Sequence, residues 1–224
     1  MTTVRSFSGR SSMALSLCAV VTVFAAPAVA QDSPAHAHMG HVADGFGNTP
    51  DGAGLLPTAI AEAEVARQHA ELALRDTEDL GAMQRHAGHV LHALDPSRIQ
   101  GGPGAGYGVV EGASGVVRHI EMAGEHESAS ENIKTHATHV ATAAGSVVAR
   151  AEEGATLAER IVNAGSAAQA AELLEELATL TERVLHGYDA DGDGRIGWQE
   201  GEGGLAQAEQ HMTLMKRGEG MSGG

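Results

Sequence analysis

The chain is poor in cysteine, in aromatic residues and in positive charge. Its single cysteine, Cys18, lies near the N-terminus, so the rest of the chain has neither a disulfide framework nor a thiolate metal site. Aromatics make up 3%, and Val, Ile, Tyr and Phe are too scattered for many strands. With 14 Lys and Arg against 29 Asp and Glu, the net charge of −15 argues against a nucleic-acid binder and favours cations as partners.

The first thirty residues have the pattern of an export signal. Two arginines precede an apolar run at 13–26, and the tripeptide Ala28-Val29-Ala30 follows. A positive segment, a short apolar segment and an A-x-A site predict a signal peptide over 1–30 that is removed after Ala30. The run is too short to predict a membrane span. We therefore expect an exported, thiol-free protein that is not attached to the membrane after cleavage, in the periplasm of a bacterium or, as the alternative, secreted.

The sequence after residue 30 predicts an all-α protein. Residues 31–57 are rich in Gly, Pro and His and indicate a flexible arm. We predict a four-helix bundle built from two duplicated helical hairpins over 58–153, further helices with one loop over 154–217, and a disordered tail over 218–224. The expected helices cover 58–76, 77–94, 109–126, 130–153, 155–164 and 166–187, with a short one after Gly204.

Histidine is abundant, with 13 residues, and six histidines form an internal repeat. Both halves of the predicted bundle read H-x16-H-x2-H with an offset of 50 residues, which is typical of one supersecondary unit used twice. At 100° per residue, the repeated histidines fall on or beside the apolar stripes of their helices. The repeated residues are His69, His86 and His89 in the first half and His119, His136 and His139 in the second.

Imidazole nitrogen is a preferred ligand of zinc, copper and iron, so the repeat suggests a transition-metal site inside the bundle. Each half offers an i, i+3 pair and a third histidine from the facing helix, which suits an open three-histidine site. Two facing histidines would instead suit the axial positions of a non-covalent haem. Structural histidines copied along with the hairpin are the remaining interpretation, and spacing does not choose the metal or decide between one site and two.

The arm carries a second group of possible ligands. Imidazoles together with a thioether can bind copper or zinc, with the thioether favouring reduced copper. A disordered arm with incidental histidines is the alternative. The residues concerned are His36, His38, Met39 and His41.

Residues 189–200 read D-A-D-G-D-G-R-I-G-W-Q-E. The segment resembles the calcium-binding loop of EF-hand proteins, which implies calcium held by the side chains of Asp189, Asp191, Asp193 and Glu200 and the backbone carbonyl of Arg195. Four carboxylates within twelve residues also repel one another unless a hard cation neutralises them. There is no second loop of this kind, and glycines after Glu200 delay the next helix to Leu205, so we expect a structural or buffering role for calcium.

Taken together, these patterns predict a metal-binding protein that stores, buffers or delivers a transition metal. A haem protein for electron transfer or haem carriage is one alternative, and a calcium-ordered interaction module with structural histidines is another. A metal held by three imidazoles can activate water, but no nucleophile and base stand at a recognisable spacing, so catalysis is not favoured.

Overall fold

The computed structural model describes residues 1–3 and 33–221. The predicted signal peptide, its cleavage site and Cys18 therefore lie outside the described residues, apart from the first three positions. The chain divides into two units, and everything below concerns the larger one, Asp32–Gly224. Residues 33–221 contain seven α-helices and one short 3₁₀ helix but no strand, which confirms the all-α prediction.

The helices follow one another as α1 (Pro34–Ala43), the 3₁₀ helix (Pro50–Gly52), α2 (Leu55–Ala73), α3 (Leu80–Leu94), α4 (Val109–Glu125), α5 (Glu131–Val162), α6 (Ala167–His186) and α7 (Leu205–Gly218). At the centre, α2 packs against α3 and α4, while α5 packs against α3 and α4. Around this centre, α1 lies on α4, α6 on α5 and α2, and α7 on α5. None of the helices in the described part of the chain combines the length and apolar character needed to cross a bilayer.

Small residues let these helices approach closely. Alanine supplies much of the buried core, including Ala59 and Ala63 on α2. On α4, a Cβ added at Gly112 would lie 2.9 Å from the Cβ of Ala59, and one added at Gly115 would lie 2.7 Å from Leu55. Contacts this short would force a shift, so the α2–α4 interface depends on glycine. A core of small side chains between closely packed helices thus accounts for the low aromatic content of the sequence.

One predicted helix boundary is wrong. The sequence suggested a break near Gly154, but α5 runs without interruption from Glu131 to Val162. Gly154 is buried, and a Cβ built on it would lie 3.0 Å from Leu94 Cδ1 and 3.8 Å from Leu177 Cδ1. This glycine therefore makes room for neighbouring helices rather than ending its own.

The segment predicted to be a flexible arm contains a packed helix. Ser33 caps α1 by accepting a hydrogen bond from the backbone N–H of His36, and Pro34 occupies the first turn. Ala35, Met39 and Val42 repeat at helical spacing and are fully buried. Three buried apolar side chains hold this helix because it packs onto α4, and amino-acid composition does not reveal that contact.

The C-terminal tail was predicted to be disordered from residue 218, but the part of it that is described is held in place. The Glu219 carboxylate accepts hydrogen bonds from Ser130 Oγ at 2.5 Å and Asn132 Nδ2 at 2.8 Å, both at the start of α5. Its other oxygen lies 3.0 Å from Nε2 of His36 on α1. These bonds lower the pKa of the Glu219 carboxyl group, although its burial acts in the opposite direction.

Candidate metal centres

Nine histidines of the described chain form three separate clusters of three. The first triad joins α1 to α4, the second joins α2 to α3, and the third joins α5 to α7. In every triad one helix supplies two histidines at positions i and i+3, and another helix supplies one. The first triad is His38, His41 and His119, the second is His69, His86 and His89, and the third is His136, His139 and His211.

The three triads share one geometry. In each, Nδ1 of the single histidine lies 3.0 Å from Nδ1 of the first histidine of the pair and 3.3 Å from Nδ1 of the second. Two nitrogens bonded at about 2.0–2.1 Å to one tetrahedral ion lie about 3.4 Å apart. The same ring atom therefore converges three times at a spacing close to that of a metal tripod.

A repeated pentapeptide places the pairs. The sequences His38-Met-Gly-His-Val42, His86-Ala-Gly-His-Val90 and His136-Ala-Thr-His-Val140 share the pattern H-x2-H-V. The residue after the first histidine and the final valine are buried in all three copies. Because these two positions face the core, the pair is left at the edge of the helix–helix interface, where it is partly buried and meets the single histidine.

The surroundings favour the neutral form of seven of the nine imidazoles. Burial is the largest cause and neighbouring histidines add to it, so imidazole pKa values in all three triads fall below their usual value of 6.5. The effect is strongest at His211, whose pKa falls to about 4 through burial and the charges of His139 and His136. The lowered residues are His38, His69, His86, His89, His119, His139 and His211.

Three converging nitrogens are better matched to an ion than to one another. A neutral imidazole has one N–H group and one acceptor nitrogen. If one Nδ1 of a triad carries the hydrogen, the Nδ1 atoms of the other two imidazoles either share it or one of them has no hydrogen-bond partner in the triad. A metal ion is one partner that accepts all three lone pairs and leaves a further coordination position open. The described structure thus contains three places where a zinc-like ion fits the donor set.

The sequence repeat anticipated one triad fully. His69 of the first half meets His86 and His89, as the H-x16-H-x2-H spacing suggested. The second half does not pair in this way, because His119 lies with the histidines of α1, while His136 and His139 lie with His211. The six repeated histidines therefore belong to three clusters and do not meet at one point in the interior.

Packing outside the repeat explains this difference. Helix α4 contacts α1 as well as α5, and α5 contacts α7 as well as α4. The histidine faces of α4 and α5 meet these outer helices, which the sequence pattern assigned to an arm and to a short terminal helix.

The predicted arm site is divided by the helix that forms there. His38 and His41 enter the first triad, whereas His36 faces Glu219. Met39 is 1% exposed and belongs to the core, because it lies on the opposite face of α1 from the pair. The thioether of Met39 is therefore not placed to act as a ligand of the first triad in this structure.

His211 was missed by the sequence analysis, although two signals point to it. The single histidines share the pattern H-x2-[LM], with Leu72, Met122 and Leu214 at the final position. The H-x2-H-V pentapeptide also occurs three times. If each pair of histidines meets one single histidine, three single histidines are needed. Searching for the pair and the single histidine as separate motifs would have recovered all nine residues together with His36, which has Met39 at the same spacing.

The acidic loop after α6 brings three of its predicted ligands together. Carboxylate oxygens of Asp189, Asp191 and Asp193 lie within 4.8 Å of one another on the exposed surface. The Asp189 carboxylate also accepts hydrogen bonds from the backbone N–H groups of Gly192 and Gly194, at 2.7 and 2.9 Å. Glu200 is not part of this cluster and lines a surface pocket with Arg150 and Tyr188.

Two residues outside the predicted ligand set hold the loop. Glu202 is buried, and its carboxylate accepts hydrogen bonds from the backbone N–H groups of Ala190 at 3.3 Å and Gly197 at 2.9 Å. On α5, the guanidinium of Arg150 donates to the carbonyl of Gly203 at 2.8 Å and to that of Gly201. The loop is therefore pinned at its exit, and α7 begins at Leu205, the position that the sequence suggested.

Comparisons with protein-family models, with curated proteins and with solved structures found no match to this chain. The site must therefore be interpreted from its own geometry.

Proposed function

We propose that this protein binds three transition-metal ions, one in each histidine triad, and serves in storage, buffering or delivery of the metal. The observation that carries the proposal is the threefold repetition of one Nδ1 tripod, with contacts of 3.0 and 3.3 Å in each copy. Histidines with a purely structural role would not need to converge through the same ring nitrogen at the same distances in three separate places. The acidic chain adds a long-range attraction for cations.

The tripod supports a single ion rather than haem. Two imidazoles on opposite faces of a haem iron hold their nitrogens about 4 Å apart, because each bond is about 2 Å long. The Nδ1–Nδ1 distances of 3.0 and 3.3 Å in the triads are shorter than this, which supports coordination of a single ion from one side. Zinc, copper and iron all accept imidazole, and the triads do not distinguish among them by ligand type.

The duplicated hairpins, α2–α3 and α4–α5, form part of the same proposal. We infer that they descend from one unit of a four-helix bundle, to which α1 and α7 add the partners that the second unit needs. This arrangement would give three metal sites from two hairpins and two outer helices.

We also propose that the loop 189–200 binds calcium in a structural or buffering role. The convergence of its three aspartates supports this, as does the crowding of carboxylates in an exposed turn. Glu200 would have to move toward the aspartates to complete the ligand set of an EF-hand loop.

The periplasm remains the proposed location, with the signal pattern of residues 1–30 as its basis. N-terminal sequencing of the protein from a cell envelope fraction should begin at Gln31. A chain that retains residue 1 and stays in the cytoplasm would contradict this location.

The number of bound ions tests the main proposal. The mature chain should bind three equivalents of Co²⁺ or Zn²⁺ at pH 7.5, measured by titration of the Co²⁺ absorption bands and by elemental analysis. Replacing both histidines of one pair with Asn should remove one equivalent each time, and removing all three pairs should abolish tight binding. His186→Asn, a histidine of α6 outside the triads, is the matched control and should leave three equivalents. Undiminished binding after loss of all three pairs would refute the proposal.

A further inference from the structure

The three triads share their ligand geometry but differ in what covers them. In the third triad, the indole of Trp198 stacks on the imidazole of His139, with ring centres 3.9 Å apart and planes inclined by 21°. In the first triad, the ring of Phe46 lies edge-on to His41 at 5.4 Å and to His119 at 5.0 Å. Within residues 33–221, the second triad has no Phe, Tyr or Trp ring against it, and the ring contacts of its imidazoles are with one another, one of them stacked and two edge-on.

An aromatic ring packed against a triad affects how an ion leaves it. Release from three ligands begins when one imidazole turns away and water or an incoming ligand takes its position. A ring packed on that imidazole restrains its rotation and restricts access of solvent to the ion. Trp198 and Phe46 are placed to do this in the third and first triads, whereas the second triad has no such ring in the described part of the chain.

We propose that the second triad is the exchange site of the protein, where transition-metal ions pass to and from external carriers, while the first and third triads retain their ions. This inference rests on the proposed function, since it requires that all three triads bind metal. It assigns Phe46 and Trp198 the role of positioning residues that slow release without contacting the ion.

Single-triad variants provide the test. In each variant the pairs of the other two triads are replaced with Asn, and the remaining site is loaded with one equivalent of Zn²⁺. A large excess of the chromogenic chelator 4-(2-pyridylazo)resorcinol then removes the ion in a stopped-flow experiment. The second triad should release zinc at least about tenfold faster than either of the others, the lower end of effects seen when groups outside the ligand set are changed.

Substitution of the covering rings makes the test specific. Trp198→Ala should speed release from the third triad and Phe46→Ala from the first, each toward the rate of the second triad. Trp198→Phe, unlike Trp198→Ala, should keep release from the third triad slow, because a phenyl ring can still stack on His139. Tyr107→Phe, in the loop before α4, is the matched control and should change none of the rates. Retention of one equivalent of zinc by each variant shows that the site is still formed.

Trp198 is the only tryptophan in the chain and stacks on His139, so among the three triads its fluorescence reports on the third. In the wild-type protein loaded with three Co²⁺ ions, its quenched fluorescence should recover in the slow phase of release. Equal release rates for the three triads, or recovery of Trp198 in the fastest phase, would overturn the exchange hierarchy and leave the proposed function intact. Failure of all single-triad variants to bind zinc would overturn both.

Discussion

The histidine triads and the aspartate loop are two kinds of ion-binding region in one molecule. The loop takes its three clustered carboxylates from five consecutive residues, Asp189 to Asp193. Each triad takes its nitrogens from two helices, and in the first and third triads the partners on different helices are 72 or more residues apart, as in the contact of His139 with His211. An ion in the loop therefore orders a local turn, whereas an ion in the first or third triad cross-links two helices that are distant in the sequence.

Thermal unfolding should show this difference most strongly. Zinc at about a thousandfold excess over its Kd should stabilise the protein by about 4 kcal/mol for each triad, provided that the unfolded chain does not bind it. Calcium should add less, because the unfolded loop already keeps its carboxylates close together and retains some affinity. Calorimetry with each ion, on the wild type and on the variant lacking all three histidine pairs, measures both effects. Equal stabilisation of the two proteins by zinc would contradict the role of the triads.

A fall in pH should separate the two regions next. Imidazole must be neutral to bind metal, so affinity is present above the histidine pKa values and is lost as the pH falls through them. Burial lowers these pKa values below 6.5, and that of His211 to about 4, so loss should extend over pH 6.5 to 4. Between pH 7.5 and 4.5 we expect Co²⁺ affinity to fall at least about a hundredfold, or about 2.7 kcal/mol.

The loop is the control in that experiment, because carboxylates remain largely ionised at pH 5. Terbium binding by the loop should change much less over the same range down to pH 5. The metal-free fold should also lose stability as the pH falls from 6.5 to 4. Because the imidazole pKa values are lower in the folded chain than in the unfolded chain, the unfolded chain binds more protons over this range. Transition-metal binding that is equally tight at pH 4.5 and 7.5 would mean that the histidines are not the ligands.

Changes within the loop should have the smallest effect. Asp189→Ala or Glu200→Gln should weaken Tb³⁺ or Ca²⁺ binding at least about tenfold, which corresponds to about 1.4 kcal/mol. Excitation of Trp198 should sensitise the terbium emission used for the titration. The count of three bound transition-metal ions should stay the same in both variants. Unchanged titration curves in both would remove the calcium site, and an effect of Asp189 alone would indicate a site that Glu200 does not complete.

Much of the fold could be predicted from the sequence, because helix signals are local. The periodicity of apolar residues and the loop at 100–108 separated α2, α3 and α4 close to their observed ends. The break suggested at Gly154 and the arm suggested at 31–57 were wrong for one reason. Glycine and histidine look like loop formers in composition, yet here Gly154 and the α1 histidines lie at contacts with other helices.

The candidate site was only partly predictable. The spacing between His69 and His86 identifies a helical hairpin, so their meeting follows from the chain itself. No spacing connects His41 with His119, 78 residues away, since the contact depends on α1 packing against α4. His211 shares only a short pattern with the other single histidines, and such a pattern acquires meaning once α7 is placed beside α5.

What the sequence determined by itself is therefore local: the helices, the paired histidines at i and i+3, the acidic loop and the acidity that favours cations. An i, i+3 pair follows from helix geometry, because 3.6 residues per turn put both side chains on one face. The third nitrogen of the first and third triads was decided by tertiary structure alone, as were the covers supplied by Phe46 and Trp198. The physical reason is that one helix face presents two imidazoles toward one point, and the third has to come from whichever helix packs against it.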